Sequence, residues 1–97
     1  MIIDRKFIFT AVNPCNGKHY TQENAIVFAA KDLALVPALV RYRKACVALG
    51  CSASHLVSWD MLMQRVKIFQ KMIECKVPDT DSACEIDRCI GGKGLTE

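Results

Sequence analysis

At 97 residues the chain has room for one small domain. Its composition, 52% hydrophobic and 24% charged, is too apolar for a disordered chain, and no apolar run reaches the roughly 20 residues of a membrane span. The net charge of +3 is unevenly placed: residues 1–76 carry eleven Lys/Arg against five Asp/Glu, whereas residues 77–97 carry two against five, so a basic body precedes an acidic tail.

The start, Met1-Ile2-Ile3-Asp4-Arg5-Lys6, places an acid early and has no long apolar stretch after its basic pair, so no export signal is expected. The expected location is therefore cytoplasmic. The six cysteines are then expected to be reduced thiols rather than a disulfide framework.

Residues 6–12 are β-branched and aromatic, Asn13-Pro14-Cys15-Asn16-Gly17 is a turn sequence, and Lys18-His19-Tyr20 can return as a short strand. A β-hairpin is expected here. Thr21 is a candidate N-cap for a helix over Gln22–Ala34, with Ile26, Ala29, Ala30 and Leu33 at helical spacing, although Val27 and Phe28 are equally at home in a strand. Pro37 suits the first turn of a new helix running to Leu49, with Leu39, Tyr42, Cys46 and Leu49 facing inward. Gly50 is a natural helix stop, and Ser52 or Ser54 can cap the next helix.

From Ser52 to about Lys76 the chain predicts one long amphipathic helix. Trp59, Leu62, Val66, Phe69 and Ile73 form one apolar row, and Val57, Met61, Ile68, Met72 and Cys75 form a second beside it. Together the rows cover more than half the circumference, so the helix needs cover on several sides. Val77-Pro78 ends it. Ser82-Ala83-Cys84-Glu85 has capping-box spacing for a short tail helix that Gly91-Gly92 would stop, and the last residues are expected to be mobile. The expected fold class is mostly α, within α+β: an N-terminal hairpin, two shorter helices, one long helix and an acidic tail. Residues 1–77 would form the domain and 78–97 the tail.

The segment Tyr42–Trp59 resembles the helix-turn-helix signature of DNA-binding domains, through Cys46, Gly50, Cys51, Leu56 and Trp59. The resemblance covers eighteen residues. It implies a nucleic-acid-binding corner, but the early positions of its second helix are Ser52, Ala53, Ser54, Val57 and Ser58, none of which carries the long polar side chain that reads base edges. Arg41, Arg43, Lys44, Arg65, Lys67 and Lys71 are the candidate phosphate-facing residues for that reading.

Two Cys-x₃-His pairs occur, Cys15/His19 and Cys51/His55, but neither they nor Cys84/Cys89 match a common zinc template, so no metal or other cofactor is expected. Cys51 at a helix start with His55 one turn on is the only local candidate for a cysteine nucleophile. Nothing beside it suggests an oxyanion site, and Asp4, Glu23, Asp32, Asp60 and Glu74 make no recognisable carboxylate pair. No small-molecule substrate and no enzymatic activity are expected. The excess apolar surface points instead to a regulatory or binding protein. Its partner would be a protein or a second copy of the chain, meeting Val57, Met61, Ile68 and Met72. Nucleic acid is the alternative partner.

Overall fold

The computed structural model describes residues 1–80, which fall into two compact units, Met1–Val27 with the 79–80 end of the described chain, and Phe28–Pro78. The elements are β1 (Thr10–Val12), β2 (His19–Thr21), α1 (Leu35–Ala48) and α2 (Ala53–Met72), a mixed α+β arrangement. The anticipated tail helix lies outside the described residues.

In the first unit β1 and β2 pair antiparallel, with Thr10 opposite Thr21, Ala11 opposite Tyr20 and Val12 opposite His19. The turn chemistry explains why the chain reverses here. Asn13 Oδ1 accepts from the Cys15 amide at 2.9 Å, and the Asn13 carbonyl accepts from the Gly17 amide at 2.7 Å. Gly17 takes the left-handed conformation, φ +74°, that the tight return requires. A second organiser is Asp4, a buried carboxylate. Its Oδ1 accepts from the amides of Lys6 and Phe7, each at 2.9 Å, and its Oδ2 from the Val27 amide at 2.8 Å. The amides of Ile3 and Asp4 in turn donate to the Gln22 carbonyl.

The helix expected over Gln22–Ala34 does not form. The chain makes a single turn at Thr21, whose carbonyl accepts from the amides of Asn24 and Ala25, and then leaves helical geometry. Side chains take the backbone groups that a helix would have paired. Asn24 Oδ1 accepts from the Thr21 amide, Thr21 Oγ1 from Glu23, and Asp4 from Val27. Further on, the Gln70 amide donates to the carbonyls of Ala30 at 2.8 Å and Asp32 at 2.9 Å.

The second unit is the α1–α2 pair with the 28–34 segment. Asp32 prepares α1: its Oδ1 accepts from the Ala34 amide, and its carbonyl accepts from the Leu35 amide. Pro37 is the third residue of the helix, where a missing N–H costs nothing. Leu35 and Cys46 are buried on α1, and Val66 on α2. Two residues expected to face inward are exposed: Tyr42, which has cover from the Trp59 ring on one side, and Leu49, the terminal cap of α1, after which the chain turns away. The first apolar row of α2 packs only over its N-terminal part: Trp59 and Leu62 are half-buried and Val66 is buried, whereas Phe69 and Ile73 are exposed, because α1 covers that face no further. The helix ends four residues earlier than expected, with Ile73 already extended at φ −132° and ψ 165°. The reason is a competing partner. Lys76 donates its amide to the Lys31 carbonyl and accepts from the Leu33 amide, forming a parallel bridge at Asp32.

Candidate functional site: the helical corner and the outer face of α2

The turn between the helices is built from two interlocking caps. At the end of α1 the Cys51 amide donates to the Cys46 carbonyl at 3.0 Å and the Gly50 amide to Val47 at 3.1 Å, the two bonds of a Schellman motif, with Gly50 at φ +79°. At the start of α2, Ser52 is extended, and its Oγ accepts from the His55 amide at 3.2 Å. The first motif sets Cys51 beside Cys46; the second sets His55 at the third helical position, on the same side. Cys46 Sγ lies 3.6 Å from His55 Nε2. The ligating atoms of Cys46, Cys51 and His55 all lie within 4.8 Å of one another.

An Ala side chain at Gly50 would meet open space, so Gly50→Ala isolates the cost of positive φ. We expect a loss of about 1–2 kcal/mol in chemical denaturation, with Gly50→Asn losing less.

Aromatic and polar contacts hold the corner. The Tyr42 and Trp59 rings stack with centroids 4.4 Å apart, and the His55 ring lies 6.3 Å from Trp59 at 30°. The Trp59 indole N–H donates to the Leu39 carbonyl at 2.9 Å. Arg43 grips Asp60 with two hydrogen bonds, of 2.6 and 3.1 Å, which push its guanidinium pKa still higher. Burial raises the Cys46 thiol pKa, and the neighbouring Cys51 adds to the effect; hydrogen bonding from Tyr42 and the charge of Arg43 oppose it.

The sequence-derived candidates separate clearly. Val57, Met61, Ile68 and Met72 are 58, 56, 48 and 77% exposed, so the helical part of the second apolar row has no cover among the described residues; Cys75, beyond the end of α2, is half-buried. Ile68 also lines a groove of about 500 Å³ with Leu33, Val36 and Ile73, which joins α2 to the start of α1; Gln64, Gln70 and two of the basic candidates, Lys67 and Lys71, line it too, so its surface is mixed. Of the basic candidates, Arg41, Lys44, Arg65, Lys67 and Lys71 are exposed, whereas Arg43 is half-buried and engaged with Asp60. Cys15 and His19 lie in the hairpin unit, Cys15 exposed in its loop. Sequence reasoning passed over Cys46 as a donor because it fits the packing pattern of α1. The signal that marks it is its place five residues before Cys51 across a glycine stop, where the Schellman bonds bring the two together.

Among the described residues, no helix is long and apolar enough to cross a membrane. The chain matches no protein-family model, no curated protein and no solved structure.

Proposed function

We propose that this chain is a non-enzymatic binding protein whose partner surface is the outer face of α2 and whose first partner is a second copy of itself. The observation that carries the reading is the exposure of the four residues of the second row that lie on α2, Val57, Met61, Ile68 and Met72, on a helix of 20 residues. Among the described residues no side chain is fully buried, so the unit has little interior of its own to rely on. Uncovered apolar surface of this kind marks contact sites, and methionine adapts well to them.

The spacing favours a like partner. Val57 and Met72 are equally far from the midpoint between Gln64 and Arg65, and so are Met61 and Ile68. Against an antiparallel copy related by a two-fold axis at that midpoint, Val57 meets the partner's Met72 and Met61 meets the partner's Ile68. Gln64 then meets the partner's Arg65, and no basic residue directly opposes another. An isologous interface requires this self-complementarity. The row is about 22 Å long at 1.5 Å per residue, and the Ile68 groove widens it.

Sedimentation of the full chain tests the reading. The expected result is a monomer–dimer equilibrium in the micromolar range. Met61→Lys with Met72→Lys should weaken it more than about 100-fold while helical circular dichroism is unchanged, because four lysines would enter an apolar contact. A wild-type chain that stays monomeric to millimolar concentration overturns self-pairing. If that monomer instead binds duplex DNA of random sequence, with affinity falling steeply with salt, the basic helices become the leading surface.

A further inference from the structure

The helical corner carries a second feature, independent of the α2 face. We propose that Cys46, Cys51 and His55 form a metal site that takes a thiophilic divalent ion, zinc foremost, with the fourth position left to water or an outside donor.

The geometry is close to what the ion needs. With Zn–S near 2.3 Å and Zn–N near 2.0–2.1 Å, tetrahedral angles place S and N about 3.5 Å apart and two sulfurs about 3.8 Å apart. The Cys46 Sγ to His55 Nε2 separation is 3.6 Å, and no pair of the three donor atoms exceeds 4.8 Å. No pair then has to close by more than about 1.3 Å to meet the ion.

The backbone that holds the donors is fixed by bonds that do not depend on an ion: the two Schellman bonds at Gly50 and the Ser52 cap on the His55 amide. Trp59 ties α2 to the Leu39 carbonyl beside the same corner. The donors are thus preorganised, which lowers the ordering cost of binding.

The donor set selects the ion. Two thiolates and one imidazole suit zinc, and they discriminate against magnesium and calcium, which want oxygen. Binding releases the thiol protons of Cys46 and Cys51, and the dication offsets the two negative sulfurs. Burial differs usefully among the three: Cys46 is buried, Cys51 half-buried and His55 exposed, so the site has an anchored floor and an open side for the ion to enter. Cys75 is occupied otherwise, its thiol donating to the Gln70 carbonyl.

The test uses the full-length reduced chain titrated with cobalt(II) and then zinc(II). The expected result is a tetrahedral d–d spectrum with thiolate-to-cobalt charge transfer, saturating at one cobalt per chain and displaced by one zinc. Native mass spectrometry should show the same single zinc. Cys51→Ser and His55→Gln alter accessible side chains and should each leave the helical circular dichroism intact. Each should weaken zinc binding by at least about 100-fold, the upper range for changes to groups that merely orient a ligand. Cys15→Ser, Cys75→Ser and the pair Cys84→Ser/Cys89→Ser should keep the tetrahedral spectrum. The proposal is overturned if the wild type gives no tetrahedral cobalt spectrum, or if zinc uptake survives both Cys51→Ser and His55→Gln in folded protein.

Discussion

Trp59→Ala is expected to cost the Phe28–Pro78 unit about 3 kcal/mol and to bring it near its unfolding threshold at room temperature. Three losses combine. The indole leaves the Tyr42 ring, on which it stacks at 4.4 Å. The Leu39 carbonyl loses a 2.9 Å hydrogen bond. The half-buried apolar area of the largest side chain on the inner face of α2 is removed. Trp59→Phe separates these contributions. It keeps a ring for Tyr42 and loses the N–H donor, and it should cost about 1 kcal/mol. Urea denaturation followed by circular dichroism measures both. If Trp59→Ala is no worse than Trp59→Phe, ring packing does not hold the corner. Because Trp59 is the sole tryptophan, the fluorescence of the wild type follows this same corner during unfolding.

The second large effect is expected at Asp4. Its carboxylate accepts three backbone amides, those of Lys6, Phe7 and Val27, while nearly shut off from water. Asp4→Ala leaves these donors without that acceptor, at about 3 kcal/mol or more for the hairpin unit. Asp4→Asn retains one side-chain oxygen and should fall between Asp4→Ala and the wild type. Amide exchange is the measurement of choice: the Val27, Lys6 and Phe7 amides should lose protection together in Asp4→Ala. Protection lost at Lys6 and Phe7 but retained at Val27 would mean that the long-range bond contributes nothing.

What could be read from the sequence, and what could not, divides along the reach of the interactions. Gly50, Ser52 and the Asn13–Gly17 turn were legible because their partners lie within a few residues, and local chemistry specifies them. The inner row of α2 was legible because periodicity reports a face. The expected helix over Gln22–Ala34 failed because its backbone groups are claimed from far away, by Asp4 across 23 residues and by Gln70 across 40. No window along the chain contains that competition. The same holds for the early end of α2, where residues 31–33 pair with Lys76. The donor trio was half legible. Cys51 and His55 share a helix start, but Cys46 reads as packing until the cap geometry turns it toward them.

The Gln70 side chain has a kinetic consequence. It joins α2 to a stretch that has no helix of its own, and it does so at the far end of the α1–α2 hairpin from Gly50. The hairpin closes over short loops, whereas this clasp must enclose about forty residues, and closure entropy grows with loop length. The clasp is therefore expected to form after the hairpin and to open before it, which faster amide exchange at residues 28–34 than in α1 and α2 would show. On that expectation residues 28–34 would lift from α2 as a flap while the helices stay paired, once the Gln70 bonds and the Asp32–Lys76 bridge open. Leu33 of that flap is one wall of the Ile68 groove, so the groove keeps its shape only while the clasp stays shut.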